Sequence, residues 1–275
     1  MSIFKIILNT IPRPILIKLS YWVRPLLSWY LKGDQFTDPI DGNSFRKFLP
    51  YGYGTQRENA LAPGTLSLER HRLLWLYLQN ETDFFELKPN SNSKVLLRSY
   101  TENTEVNSVL KVLHIAPEQC FLKRFRNQKS LNYITTDLHS PIVDVKADIC
   151  NLPFKEAEFD VVFCNHVLEH ITDDTKAMQE LYRVLKPKGM GIFQIPQDTR
   201  REITFEDNTI TDAKERAKIF GQYDHVRVYG LDYFDKLRTI GFTVDAIDYT
   251  KEITREKQER YCLMEGELLP VCFKR

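Results

Sequence analysis

Acidic and polar side chains recur directly after short apolar segments in the middle of the chain. Asp137 follows one such segment, Asp148 another, and Asn165 and His166 a third. In an open α/β sheet, ligands bind beyond the carboxyl ends of the strands. A carboxylate at that position can accept short, charge-assisted hydrogen bonds from both ribose hydroxyls, and we expect this of Asp137. Asp148, together with Ile149, is placed to meet the exocyclic amine and the edge of an aromatic base.

The elements that would position these groups alternate between strand and helix. From residue 109 onward, short β-branched runs are separated by helical patterns, which is typical of βαβ units on a mainly parallel sheet. The predicted strands cover 109–115, 133–136, 143–146, 159–164, 189–195, 243–249 and 260–273, and the predicted helices cover 118–126, 173–185, 212–220 and 231–240. Polar residues without a helical pattern join the last two strands, so we expect an antiparallel hairpin that closes the sheet.

The turn after the first of these strands has an unusual composition. It reads His114-Ile115-Ala116-Pro117-Glu118 and contains no glycine, where a dinucleotide fold would carry GxGxxG. This absence argues against a nicotinamide oxidoreductase.

Residues 112–196 resemble the core of class I S-adenosylmethionine-dependent methyltransferases of the small-molecule type (type 11 methyltransferase-like). The resemblance rests on Asp148, Leu152-Pro153-Phe154, Phe159-Asp160-Val161-Val162, Leu168-Glu169-His170, Glu180-Leu181, Arg183-Val184-Leu185-Lys186-Pro187 and Gly189. It implies an α/β fold with a Rossmann-like seven-stranded sheet, helices on both faces and a reversed last strand. It also implies S-adenosylmethionine as the cofactor.

The resemblance further implies a role for individual residues. Ala116 and Glu118 would lie beside the methionine part of the cofactor, Asp137 at the ribose, Asp148 and Ile149 at the adenine, and Asn165 and His166 at the sulfonium and the acceptor; His114 and Leu138 complete the predicted cofactor-binding set. The first loop departs from the usual family pattern of an acidic residue and three glycines, because side chains replace hydrogens where the backbone approaches the ligand. A branch of the family carries a His-Ile-Ala-Pro-Glu loop, so we interpret the departure as variation.

Catalysis of methyl transfer is chiefly in-line positioning, with a base where the acceptor is a hydroxyl. Residues 220–229 crowd polar, aromatic and cationic side chains between two strands and are predicted to face the substrate. Within them His225 is the first choice of base, and His166 is the second. The alternative for each is an imidazole that only hydrogen-bonds a loop backbone. The pattern assigns no metal ligands.

The first 88 residues divide into a basic arm and a loop-rich module. Residues 1–33 form the arm, in which five Lys and Arg and no acidic residue are mixed with apolar and aromatic side chains. In the branch that the chain resembles, a zinc ribbon precedes the methyltransferase domain. Asp38, Asp41, Ala62 and Thr65 stand at its ligand positions, and since this set cannot form a tetrahedral zinc site, we expect residues 34–88 to form a zinc-ribbon-like module without metal. Residues 89–275 would then be the methyltransferase domain.

Net charge bears on possible binding partners, and cysteine content bears on the cellular location. A net charge of +1 gives no bulk electrostatic argument for nucleic acid, and we expect none as a partner. Five scattered cysteines without a CxxC pair indicate reduced thiols and a cytoplasmic location. The basic arm either packs on the protein or makes peripheral contact with anionic membranes through residues 1–32.

Two functions remain open at this point. The first is a methyltransferase that modifies a small-molecule, glycan or lipid-linked acceptor. The second is a catalytically silent relative that binds a nucleoside or a partner protein, which the loop without glycine would permit.

Overall fold

The computed structural model describes residues 13–52, 56–87, 92–97 and 109–275, with side chains in the first helix from Trp22 onward. The chain forms two compact units. The first comprises the described residues up to Trp75 together with Ile253–Met264, and the second comprises Leu76–Glu252 and Glu265–Arg275. The predicted domain limits at residues 33 and 88 stay predictions, and residues 88–91 and 98–108, next to the second limit, lie outside the described residues.

The first unit combines a helix with two small antiparallel sheets. Its elements are α1 (Arg13–Tyr30), β1 (Lys32–Thr37), β2 (Ser44–Phe45), β3 (Leu49–Tyr51), β4 (Arg57–Leu61) and the start of α2 (Glu69–Glu81). Strand β1 pairs with β2 and β3 pairs with β4. Leu31, Phe45, Phe48 and Ala62 form the core. Among the described residues, no helix is both long and apolar enough to cross a membrane.

Hydrogen bonds to one buried carboxylate join the two turns that follow β1 and β4. Thr65 Oγ1 donates to Asp38 Oδ2, and the Ser67 hydroxyl donates to the same oxygen at 3.1 Å. The other oxygen, Oδ1, accepts from the backbone N–H of Ile40 at 3.0 Å. Burial raises the pKa of Asp38, against the opposing effect of the Thr65 hydroxyl. Two of the predicted ligand positions of a zinc ribbon, Asp38 and Thr65, therefore bond to each other, while the zinc-ribbon character of the unit stays a prediction.

The raised pKa of Asp38 predicts a pH-dependent stability. A carboxyl whose pKa is higher in the folded state stabilises fully below its unfolded pKa, and this contribution is lost as the pH rises through the folded pKa. Asp38→Asn stays neutral at every pH and can still accept from Ile40 N–H, but its amide nitrogen cannot accept from Thr65 and Ser67. We therefore expect the unfolding temperature of this variant to change less between pH 4 and pH 7 than that of the unaltered chain. Thermal unfolding across this range tests the prediction. The exposed Asp34 on β1 supplies the control, Asp34→Asn, and an equal pH trend in both variants would contradict it.

The second unit is built on a seven-stranded sheet. In chain order its elements are β5 (Leu110–Ile115), α3 (Gln119–Arg126), β6 (Leu131–Asp137), β7 (Val145–Lys146), β8 (Phe159–Cys164), α4 (Asp174–Val184), β9 (Leu185–Ile192), β10 (Phe205–Glu206), α5 (Ala213–Ile219), β11 (Arg227–Val228), α6 (Tyr233–Ile240), β12 (Phe242–Ile247) and β13 (Leu269–Lys274). The sheet order is β12-β13-β9-β8-β5-β6-β7, and β10 and β11 form a separate pair. Strands β5 to β9 run parallel, and β13 lies antiparallel to both β9 and β12. The predicted fold class and the closing hairpin are confirmed.

Burial explains why these segments become central strands and covering helices. Five of the six residues of β8 are fully buried, as expected for a strand covered on both faces. Each such Val or Phe contributes about 1.5 to 3 kcal/mol relative to an exposed side chain. Helix α4 places Ala177, Leu181 and Val184 in the same core, and Asp173 caps its first turn by accepting from Lys176 N at 3.0 Å.

The connection between β12 and β13 differs from the prediction of a polar turn. It holds a 3-10 segment, Tyr249–Glu252, and the short helix α7 (Arg255–Arg260), and β13 begins at Leu269 rather than at residue 260. The α7 sequence is entirely polar and therefore shows no apolar periodicity, although its residues favour helix. Residues after α7 are held within the first unit by the buried Arg72, which donates to the carbonyl oxygens of Tyr261 at 2.7 Å and Cys262 at 2.8 Å.

Candidate active site

The turn after β5 adopts a glycine-like conformation without glycine. Ala116 has φ of 47°, in the left-handed region, and its N–H donates to the carbonyl oxygen of Thr136 at 2.7 Å. This conformation costs an Ala residue about 1 to 2 kcal/mol. The loop therefore follows the backbone path that glycine would favour, with only one methyl group added at the turn.

Glu118 is the N-cap residue of helix α3 and is held by two neighbouring side chains. One carboxylate oxygen lies 2.6 Å from Nε2 of His114, and the other accepts from Asn165 Nδ2 at 3.2 Å. His114 is 1% exposed, and its Nδ1 lies 2.8 Å from the Tyr133 hydroxyl. His114 thus fixes the position of Glu118, and its own contact with the cofactor stays a prediction.

The two aspartates follow the neighbouring strands β6 and β7. Asp137 is paired in register with Lys146, and its Oδ1 accepts from the N–H groups of His139 at 2.7 Å and Ser140 at 2.6 Å. Asp148 is exposed and accepts from Cys150 N at 2.8 Å. Each carboxylate shapes its own turn through Oδ1. The residues that follow them differ, since Leu138 is 54% exposed and Ile149 is buried in the core.

Asn165 and His166 connect the ends of β8 and β9. Asn165 Oδ1 accepts from Gln194 N at 3.2 Å, and His166 N donates to the carbonyl oxygen of Gln194 at 2.7 Å. His166 also has a positive φ, 53°. These bonds bring the predicted residues of β8 beside Glu118, at the same edge of the sheet.

A buried carboxylate organises the imidazoles near this edge. Glu169 is 1% exposed and lies in the 3-10 segment Leu168–His170, with Oε1 3.4 Å from His166 Nδ1. Burial opposes the ionisation of Glu169, but the hydrogen bond and charge of His166, a backbone N–H and the charge of His170 together outweigh burial and lower the pKa of Glu169. The Nε2 atom of His166 is buried and has no hydrogen-bond partner among the described residues.

The first-choice base, His225, is more deeply buried than the second, His166. His225 is 3% exposed, its ring lies 4.8 Å from that of His170, and its Nδ1 lies 3.2 Å from the carbonyl oxygen of Phe220. Burial lowers the pKa of His225, against the opposing charge of Glu169, so its neutral form is favoured. The structure brings His225 to Glu169 and leaves its use as a base a prediction.

The segment around His225 is anchored by a buried cation. Arg227 is 2% exposed and donates to the carbonyl oxygens of Leu168 and Ile171 and, at 2.9 Å, to that of Thr172. Its charge is balanced by Glu206 at 2.9 Å and by Asp174 at 3.7 Å. Part of the segment predicted to face substrate is therefore a structural anchor.

Sequence reasoning missed two polar groups at the strand ends. Gln194 is 1% exposed, and neither its amide nitrogen nor its amide oxygen has a hydrogen-bond partner in the described part of the chain. The Thr136 hydroxyl near the end of β6 is also buried and has no hydrogen-bond partner among the described residues. Buried polar atoms are normally paired, so these atoms favour a bound ligand. The only sequence signal for Gln194 is its place near the end of the predicted strand over 189–195.

The arrangement fits an adenosyl cofactor. Acidic side chains follow β5, β6 and β7, and the unpaired polar atoms of Thr136 and Gln194 lie at the ends of β6 and β9. S-adenosylmethionine carries an ammonium group, ribose hydroxyls and an adenine amine, each of which can donate a hydrogen bond to a carboxylate.

A seven-stranded sheet with one reversed strand, carrying polar groups at the carboxyl ends of its parallel strands, is the fold of class I methyltransferases. Residues 99–193 match the family model described as "Methyltransferase domain". This match spans about a third of the chain, so these residues are similar to a methyltransferase domain, a family that uses S-adenosylmethionine as its cofactor.

Individual proteins are similar to this chain over fewer residues than the family model. A chloroplastic 2-phytyl-1,4-beta-naphthoquinone methyltransferase of Arabidopsis thaliana is 44% identical over 89 residues, covering 30% of this chain and 34% of that protein. A demethylmenaquinone methyltransferase of Staphylococcus saprophyticus is 45% identical over 56 residues, covering 20% and 24%. The chain thus spans about a third, or less, of the length of these relatives. A solved S-adenosylmethionine-dependent methyltransferase from Mesorhizobium loti superposes with a TM-score of 0.39 at 13% identity, covering 60% of this chain and 90% of that one.

Proposed function

We propose that the protein transfers a methyl group from S-adenosylmethionine to a small-molecule, glycan or lipid-linked acceptor. The observation that carries the proposal is the set of polar side chains at the ends of β5, β6, β7 and β8 within a methyltransferase domain. Bound S-adenosylmethionine supplies an electrophilic methyl group on a sulfonium.

Each acidic residue at the strand ends would bind a different part of the cofactor. Glu118, oriented by His114, would accept from the ammonium group, and Asp137 would use the oxygen not committed to its turn for the ribose. Asp148 would accept from the adenine amine. The left-handed Ala116 keeps the first turn close to the methionine part.

The acceptor would lie near Asn165, His166 and Gln194. Of the two proposed bases, the geometry favours His166, because Glu169 accepts from its Nδ1 and leaves the Nε2 lone pair available. Its side chain is 22% exposed, whereas His225 is buried. The amide of Gln194 would bind a polar group of the acceptor.

Hydroquinones are the first acceptors to test. The names of both curated relatives describe methylation of a naphthoquinone or a menaquinone precursor. In a hydroquinone, removal of a hydroxyl proton activates both the oxygen and the ring carbons, so one base serves transfer to either atom.

The experiment measures cofactor binding and turnover separately. Calorimetry is expected to give one site for S-adenosylmethionine and no binding of NAD. Transfer of a labelled methyl group is then measured with reduced naphthoquinones, glycans and lipid-linked sugars. Binding without transfer to any of them would favour the silent alternative, and absence of binding would contradict the proposal.

Helix α1 supports a further proposal, peripheral contact with anionic membranes. Trp22, Leu26 and Trp29 are 79%, 70% and 77% exposed on a helix that also carries three basic and no acidic residues. Since each side chain gains about 1.5 to 3 kcal/mol on burial, we expect replacement of all three by Ser to weaken binding to phosphatidylglycerol vesicles at least about tenfold in a flotation assay.

Point variants are preferable to deletion of residues 1–32, because Leu31 is 2% exposed and belongs to the core of the first unit. The matched control replaces the exposed Leu87, Leu96 and Val109 by Ser. Equal loss of vesicle binding in both triple variants, or in neither, would count against the membrane role of α1.

A further inference from the structure

Three potential metal ligands lie together near the end of β8. Each of Glu169, His170 and His225 offers one ligand atom, and these atoms lie within 4.8 Å of one another. Glu169 and His225 are buried, and His170 is partly exposed. The pair Glu169 and His170 is adjacent in sequence, whereas His225 comes from a distant loop.

Two of the three side chains, Glu169 and His225, offer a ligand atom that is buried and unpaired among the described residues. Glu169 Oε2 and His225 Nε2 both lack a hydrogen-bond partner among the described residues. A buried carboxylate oxygen and a buried imidazole nitrogen without partners are costly unless a ligand satisfies them. Glu169 Oε1 is committed to His166, so only Oε2 is available.

The Nδ1 contacts of His225 and His170 leave the Nε2 atom of each ring available to bind a metal ion. Nδ1 of His225 lies 3.2 Å from the carbonyl oxygen of Phe220, and Nδ1 of His170 lies 3.3 Å from that of Asp224. A carbonyl can only accept, so each Nδ1 carries the proton and each Nε2 carries a lone pair. Donation of the second ring N–H to a carbonyl or carboxylate is typical of metal-binding histidines.

The two chain segments are fixed to each other. Val226 N donates to the carbonyl oxygen of Glu169 at 2.9 Å, next to His225. The Arg227 guanidinium adds the bonds to the carbonyl oxygens of Leu168, Ile171 and Thr172 described above, and its charge is balanced by Asp174 and Glu206. The ligand set is therefore built into the fold rather than formed by mobile surface groups.

We propose that Glu169, His170 and His225 bind a divalent transition-metal ion, with zinc the favoured ion. Two imidazoles and one carboxylate form a known three-ligand set for zinc that leaves a fourth position open. Bonds of about 2.0 to 2.2 Å place tetrahedral ligands about 3.3 to 3.5 Å apart, so each ligand atom has to move by about 1 Å or less. The site shares Glu169 with the proposed base His166, but the proposed methyl transfer itself requires no metal.

Cobalt(II) absorption tests the site in the full chain after treatment with a chelator. We expect one equivalent of Co²⁺ to bind with the ligand-field spectrum of a four- or five-coordinate ion, and Zn²⁺ to displace it. His225→Gln and Glu169→Gln should each weaken binding at least about 100-fold, since each removes a direct ligand. The exposed His139 provides the matched control, and His139→Gln should bind as the unaltered chain does.

Circular dichroism of each metal-free variant shows whether it is folded. Metal analysis of the unaltered chain tests the site without relying on any variant. Lack of saturable Co²⁺ binding by the unaltered chain would overturn the proposal. If His225→Gln and Glu169→Gln both bind Co²⁺ as tightly as the unaltered chain does, or if the spectrum shows charge-transfer absorption from cysteine sulfur, the proposal is overturned as well. S-adenosylmethionine binding is measured on the same samples, so that failure of the metal site and failure of the methyltransferase proposal are separate results.

Discussion

Asp137→Ala is expected to bind S-adenosylmethionine about 30- to 150-fold more weakly than the unaltered chain. The loss corresponds to about 2 to 3 kcal/mol, which is the contribution expected of hydrogen bonds to a charged group. Asp137 ends β6, and its Oδ1 is already committed to the N–H groups of His139 and Ser140, so the ribose contact falls to Oδ2. Calorimetric titration of the cofactor measures the change.

A second substitution distinguishes the role of Asp137 in its own turn from its proposed role in binding the ribose. Asp137→Asn retains an Oδ1 that can accept from His139 and Ser140 but loses the charge, so we expect an intermediate loss of about tenfold with an unchanged unfolding temperature. Asp235 lies on α6 in an exposed pair with Arg238, and Asp235→Ala serves as the control. Unchanged cofactor affinity in Asp137→Ala would remove this residue from the site.

The order of the sheet was predictable because its signals are local. β-branched runs such as residues 159–164 sit between helical patterns, and the reversal of β13 followed from the resemblance and from the polar connection. Helix α7 was not predictable from periodicity, since all six of its residues are polar. The left-handed Ala116 was also not predictable, because Ala seldom adopts that conformation and nothing in the sequence reports φ.

The cofactor side of the site was easier to predict than the acceptor side. Asp137 is the last residue of β6 and Asp148 lies two residues beyond the end of β7, so their common edge comes from topology alone. The cluster around Glu169 depends on His225, which lies on another segment and arrives there through the Val226 hydrogen bond. Sequence spacing does not encode such a contact, and for the same reason the metal ligands were not assigned from the sequence.

His166→Gln is expected to reduce kcat about 10²- to 10⁴-fold with a hydroxyl acceptor, which is the usual contribution of a general base. Glutamine keeps a polar side chain of similar length, but it cannot take a proton. The Nδ1 contact with Glu169 orients the imidazole, and the buried Nε2 is the atom that would remove the proton. The affinity for S-adenosylmethionine should change less than about threefold, because Glu118 and Asp137 carry the polar contacts in the proposed cofactor site.

Single-turnover methyl transfer with the hydroquinone that gives the fastest reaction measures this effect. His139→Gln, an exposed imidazole on the turn after β6, controls for the loss of a histidine. A fall in kcat together with normal cofactor binding identifies His166 as the base, because a merely structural role would also lower the unfolding temperature or the cofactor affinity. Equal kcat in His166→Gln and the unaltered chain would exclude His166, and His225→Gln would then be the next variant to measure.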